Sequence, residues 1–195
     1  MIPSQASALE DLFADLLQQQ QKSAEDLPPV HLWHPKLSGV MDMRIDREGQ
    51  WIHEGGKIKR RPLVKLFSRI LRREGNSYFL VTPVEKWQIT VDVAPFFIVS
   101  ASREIRDSQQ ALVVHTSTED QFVVDANHPL WVDCEEDGQT PIPLVRVRDN
   151  LNGLLSRSVY YQLVDWGHEQ VAANGETQLV IASMGQQYRL GTVAD

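Results

Sequence analysis

Eight cations fall between residues 57 and 73 with no acid among them: Lys57, Lys59, Arg60, Arg61, Lys65, Arg69, Arg72 and Arg73. Such a cluster is chemistry for an anion. Four of them stand before or at the start of a helical pattern opened by Pro62. A helix N-terminus offers unpaired N–H groups and the positive end of a dipole. Arg61 is therefore placed to grip a phosphate or carboxylate through two parallel hydrogen bonds. Lys65, Arg69 and Arg72 read instead as the solvated face of the same helix. Arg157 is a counterpart of Arg61, at the start of a second helical pattern. Arg146 and Arg148 alternate on a strand pattern and share a face, so solvent, Asp149 or an anionic ligand must compensate them.

Trp51 offers a surface for stacking, and His53 lies on the same face of its strand, either as a hydrogen-bonded structural residue or as a ligand contact. Glu54 points to the opposite face, so the neighbours His53 and Glu54 make no acid–base couple by themselves. Glu85 and Lys86 read as an exposed ion pair or a ligand contact. The candidate ligand-binding set is thus Trp51, His53, Arg61, Lys86, Arg146, Arg148 and Arg157. No catalytic residue is assigned, because the sequence holds no G-x-S-x-G elbow, no P-loop and no dinucleotide-type glycine fingerprint. His31 and His34 have a spacing that a helix would turn into a metal pair, but Pro28, Pro29 and Pro35 argue against a helix there. Neither a metal nor a cofactor is expected.

The net charge of −7 opposes broad nucleic-acid affinity, which needs a basic surface to neutralise phosphates. The N-terminus lacks a basic segment followed by a continuous apolar run, as a signal peptide requires, and no apolar stretch reaches membrane-spanning length. Cys134 is the only cysteine, so an internal disulfide is excluded. Between Asp133, Glu135 and Glu136 it reads as an inert thiol. The expected compartment is the cytoplasm, with no nucleic-acid or membrane partner.

The elements that must position these residues are short. Ser7 and Glu10 form a capping box for a helix over 7–21, whose stripe of Leu9, Leu12, Phe13, Leu16 and Leu17 must dock on the body or on a second copy, giving a homo-oligomer. A polar linker closes at Pro28-Pro29. Strands are expected near 40–46 and 50–55, then a helix from Pro62 to Arg73 ended at Glu74-Gly75-Asn76. Further strands are expected near 77–82, 87–92, 96–101, 111–117, 121–125 and 142–148. A second helix is capped by Ser156 and turns Val159, Tyr160, Leu163 and Val164 inward. Gly175 leads into two final strands. Short connections imply mostly antiparallel pairing with helices as covers, an α+β fold.

The chain also repeats itself. Tyr78–Ile89 and Gln178–Leu190 each read as strand, polar break, strand, each after a glycine turn and a helix opening at an arginine; Glu48, Gln50 and Trp51 are echoed by Glu119, Gln121 and Phe122. This is the mark of a duplicated hairpin–helix–hairpin unit. The expected division is 1–30 as N-terminal helix and linker, 31–106 as first repeat and 107–195 as second, packed as one compact unit. Residues 128–150 are an insertion in the second repeat, its early part an exposed loop.

These residues resemble a bacterial family called domain of unknown function 1285. The match runs through Trp33 and Pro35, Asp42-Met43, Trp51 with His53-Glu54-Gly55, and Arg61 with Leu63, Val64, Leu66 and Phe67. It continues through LVTP at Leu80–Pro83, Glu85-Lys86 and Pro95-Phe96. The second half matches through VVDANHPL, VRVR, SRSVYYQLV and Ser183 to Gly191, where Gln186 and Gln187 replace a more aromatic pattern. The resemblance implies a duplicated α+β core whose C-terminal half is pleckstrin-homology-like. It also implies a pocket between the halves for a nucleotide-like molecule, and a role in bacterial signalling. The resulting expectation is a non-enzymatic protein that binds a small anionic, phosphate-bearing ligand. A protein-interaction adaptor is the alternative, and a hydrolase using His53 a further one.

Overall fold

Alternation along residues 37–45 sets the first sheet: Met41, Met43 and Ile45 are buried while Val40, Asp42 and Arg44 between them are exposed. The computed structural model describes residues 27–193; the helix expected at 7–21 lies outside them. Two units are distinguished, the first comprising the described residues to Asp46 plus Gln50–Asp92, the second Arg47–Gly49 and the described residues from Val93.

In the first unit β1 (Leu37–Ile45), β2 (Trp51–His53), β3 (Gly56–Lys57), α1 (Arg61–Arg69), β4 (Leu71–Glu74), β5 (Ser77–Val81) and β6 (Lys86–Val91) follow in order. They form a sheet ordered β3-β2-β1-β6-β5-β4, with β1 and β6 parallel and the other pairs antiparallel. Phe67 of α1 is fully buried and stacks on Trp51, ring centroids 6.0 Å apart and planes at 25°.

The helix expected to reach Arg73 stops at Arg69. Leu66, Phe67, Ile70 and Leu71 keep helical spacing, but Leu71 begins a strand that pairs with Leu80 and turns at Gly75. Arg72 therefore leaves the helix face assigned to it. It hydrogen-bonds the Val30 and Trp33 carbonyls and pairs with Glu74.

The second unit contains β7 (Phe96–Arg106), β8 (Gln109–Thr116), β9 (Gln121–Val123), β10 (Leu130–Cys134), β11 (Pro141–Arg148), β12 (Leu151–Leu155), α2 (Arg157–Trp166), β13 (His168–Val171), β14 (Thr177–Ser183) and β15 (Gln186–Thr192). One sheet runs β10-β11-β12-β7-β8-β9 with β12 and β7 parallel; β13-β14-β15 is a separate antiparallel sheet. Ile98, Leu112, Val145, Val159, Leu163, Ile181 and Leu190 join both sheets and α2 in one core. The fold class is α+β.

The two six-stranded sheets are roughly duplicated, each mixed with one parallel pair, and each helix is followed by a three-stranded meander. The meander joins the large sheet in the first unit and stays separate in the second. The division between the units falls after Asp92, and β7 continues to Arg106, pairing with β8 along its length. The early part of 128–150 is not a loop: Leu130–Cys134 pairs with Pro141–Val145.

Ser183 ties the second unit together. Its fully buried hydroxyl donates to the Val124 carbonyl (2.5 Å) and accepts the Leu112 amide (2.9 Å). Ser183→Ala leaves both backbone groups unsatisfied and is expected to cost about 1–3 kcal/mol. Urea unfolding checks this, and an unchanged midpoint would show that neither bond matters.

Candidate functional site

Ser156 follows β12 and caps α2. Its backbone is extended, its hydroxyl accepts the Val159 amide at 3.3 Å, and its carbonyl accepts the Tyr160 amide at 2.9 Å. This is the serine cap expected from sequence. The Ser156 amide donates to the Ile98 carbonyl, fixing the helix start against β7. Gly153 permits that approach, since a Cβ there would lie 2.9 Å from Ile98 Cδ1 and 3.1 Å from Val147 Cγ2. The amides of Arg157 and Ser158 belong to the first turn, whose N–H groups have no acceptor within the helix.

A cleft of about 750 Å³ lies over this helix start. Phe97, Pro141, Pro143, Leu154 and Tyr161 supply apolar wall; Ser156, Arg157, Gln139 and Thr140 supply polar groups. Arg47 and Glu48 also line it. Their turn is held by Gly49, whose φ of +71° and distance from Phe97 (a Cβ would sit 2.4 Å from Phe97 Cβ) leave no room for a side chain.

Two charged residues of the lining, Arg47 and Asp137, are held by partners. Arg47 pairs with Glu135 at 2.5 Å. Asp137 accepts the Thr140 hydroxyl at 2.6 Å and the amides of Gln139 and Thr140 at 2.8 Å. These bonds, the Thr140 hydroxyl foremost, hold its carboxyl below the usual carboxylate range. Arg157 is exposed and makes no ion pair among the described residues. Tyr160 donates its hydroxyl to the Leu190 carbonyl at 2.7 Å. Burial pushes its pKa up, so it stays a neutral donor.

The other expected site residues are placed as follows. Arg61 begins α1, exposed and without an ion pair among the described residues. Its helix start offers few open donors. Pro62 has no N–H, Leu63 and Val64 donate to the Arg60 carbonyl, and no side chain caps the end. Trp51, expected as a stacking surface, is 1% exposed and already covered by Phe67. His53 Nδ1 lies 2.8 Å from the Asp42 carbonyl oxygen and its Nε2 is buried without a partner among the described residues.

Lys86 pairs with Glu74 at 3.0 Å, not with Glu85, and lies over the Phe79 ring. Burial raises the pKa of Glu74, but the hydrogen bonds from Lys86 and Arg72 outweigh it and hold the group below its ordinary value. Arg146 donates to Asn152 and to the Asp149 backbone carbonyl, both at 2.8 Å. Arg148 stands 3.6 Å from Asp120 and over the Phe96 ring. Of the seven, Arg157 alone lines the cleft described here.

Sequence reasoning missed Arg47, Tyr161 and the Gln139–Pro143 wall. The available signal was Asp137-Gly138 between apolar runs, a turn pair that marks a hairpin. Among the described residues, no group of three or more His, Cys, Asp or Glu side chains could hold a metal, and no helix is long and apolar enough to cross a membrane.

Residues 28–94 match the model of the N-terminal domain of a family described as domain of unknown function (DUF1285), and residues 95–190 match that of its C-terminal domain. The boundary between the matches agrees with the structural division after Asp92. The fold is similar to the crystal structure of a DUF1285 family protein from Silicibacter pomeroyi DSS-3, with 36% identity, TM-score 0.79, and coverage of 91% of this chain and 95% of that one. A DUF1285 family protein from Shewanella baltica OS155 is similar at 29% identity and TM-score 0.51, over 65% of this chain and 92% of that one. No functionally curated protein matches.

Proposed function

The chain belongs to the DUF1285 family, and from that premise we propose that it is a cytoplasmic ligand-binding protein acting in signal transduction, with a small anionic molecule, nucleotide-like or phosphorylated, held in the cleft at the start of α2. One observation supports this reading above the others: Arg157, exposed and without an ion pair among the described residues, stands on a cleft beside two first-turn helix amides. Phosphate or carboxylate oxygens satisfy all three donors. Phe97, Pro141, Pro143 and Tyr161 provide the apolar wall that a ring or chain attached to the anion requires. No nucleophile with an adjacent base appears among the lining residues, so binding rather than turnover is the activity assigned.

A thermal-shift screen of nucleotides and sugar phosphates on the full chain tests the reading. A compound present at 100 times its Kd stabilises by about 2.7 kcal/mol and raises the midpoint by several degrees. If no anionic compound moves the midpoint while a protein co-purifies from the native host, the adaptor reading replaces this one.

A further inference from the structure

Nine large apolar side chains stand exposed among the described residues, and five of them, Leu27, Leu32, Leu37, Val40 and Val84, belong to the first unit, 49–68% exposed. Strand register places two of them, Leu37 and Val40, on one face. Leu37 is opposite Lys86 and Val40 opposite Gln88 on β6; across β6, Lys86 and Gln88 face Val81 and Phe79 of β5. Paired residues share a face, so Leu37 and Val40 lie on the face that carries Phe79 and Val81, opposite the one on which Phe67 meets Trp51. Val30 and Trp33 cover Phe79 and Val81. The β1 half of that face keeps Leu37 and Val40 exposed; Val84, two residues before Lys86 in sequence, and Leu32, next to Trp33 in sequence, are exposed too.

An exposed apolar patch of this kind marks a docking surface, and the chain itself supplies an occupant. Residues 1–26 precede the described part, which begins at Leu27, itself exposed. Their sequence carries the stripe of Leu9, Leu12, Phe13, Leu16 and Leu17, followed by a polar stretch at 18–26. Nine extended residues span up to about 30 Å, enough to bring the stripe onto the patch, and a short tether gives an effective concentration of order mM. Glu10, Asp11 and Asp15 flank the stripe, and Lys36, exposed next to Leu37, makes no ion pair among the described residues; Asp42 and Arg44, exposed on the Val40 face, add one charge of each sign, and Arg44 is paired with Asp92.

We infer that the Leu37–Val40 face of the first sheet is the seat of residues 9–17 of the same chain. The full chain carrying Cys134→Ser tests it. With Val40→Cys and Leu16→Cys, oxidation is expected to give an intramolecular disulfide at least about tenfold faster than with Val40→Cys and Asp11→Cys, a position off the stripe, and at a rate independent of protein concentration. Maleimide labelling of Val40→Cys alone is expected to quicken about tenfold when Leu12→Asp and Leu16→Asp are added. Cross-links only between chains, rising with concentration, would overturn the inference in favour of a second copy. Equal rates for the two cysteine pairs, with labelling indifferent to the aspartates, would overturn it in favour of another partner.

Discussion

Trp51→Ala is expected to destabilise the protein by about 3–5 kcal/mol, the range for removing a large buried aromatic. The ring is 1% exposed and stacks on Phe67, which is fully buried. Truncation leaves a void between β2 and α1 that neither element can close without losing its own pairing. Trp51→Phe keeps a ring against Phe67 and is expected to cost less than half as much. Chemical denaturation of both variants measures the difference. A small loss for Trp51→Ala, with ligand affinity falling sharply instead, would restore the stacking role that the sequence assigned to this residue.

Arg157→Ala is expected to weaken binding of any ligand found by the screen by about tenfold to a hundredfold, the value of a charge-assisted bidentate contact of roughly 1.5–3 kcal/mol. The fold should be untouched, since the side chain is exposed and makes no ion pair among the described residues. Arg61→Ala is expected to change affinity by less than about threefold, as an exposed charge on a helix whose first turn has few open amides contributes little. Calorimetric titration separates the two. A larger loss at Arg61 would move the site to the first unit, where the basic run between Lys57 and Arg61 stands.

What the sequence made legible was local chemistry. Ser156 followed by an apolar pattern is a capping signal that acts over a few residues, and the cap forms as expected. The hairpins at β5–β6 and β14–β15 were legible as repeats for the same reason: each is closed within a short span. The end of α1 was not, because Ile70 and Leu71 continue its period while the pairing that claims Leu71 comes from Leu80. β12 was missed since Leu151–Leu155, short and broken by Gly153, shows its strand character only when laid parallel to β7.

The candidate site follows the same division. Arg157 was legible as an arginine at a helix start. The cleft beside it was not, because the Arg47 turn and the Gln139–Pro143 wall reach it from distant parts of the chain. Lys86, Arg146 and Arg148 looked available until their partners Glu74, Asn152 and Asp120 came beside them from other segments.

The most direct test of the central claim is native mass spectrometry of the full chain and of Arg157→Ala, each released gently from the native host. The prediction is a small anionic molecule retained by the unmodified protein and lost from the variant, while Arg61→Ala keeps it. The same molecule bound at equal occupancy in the unmodified protein and in Arg157→Ala would contradict a ligand site at the start of α2.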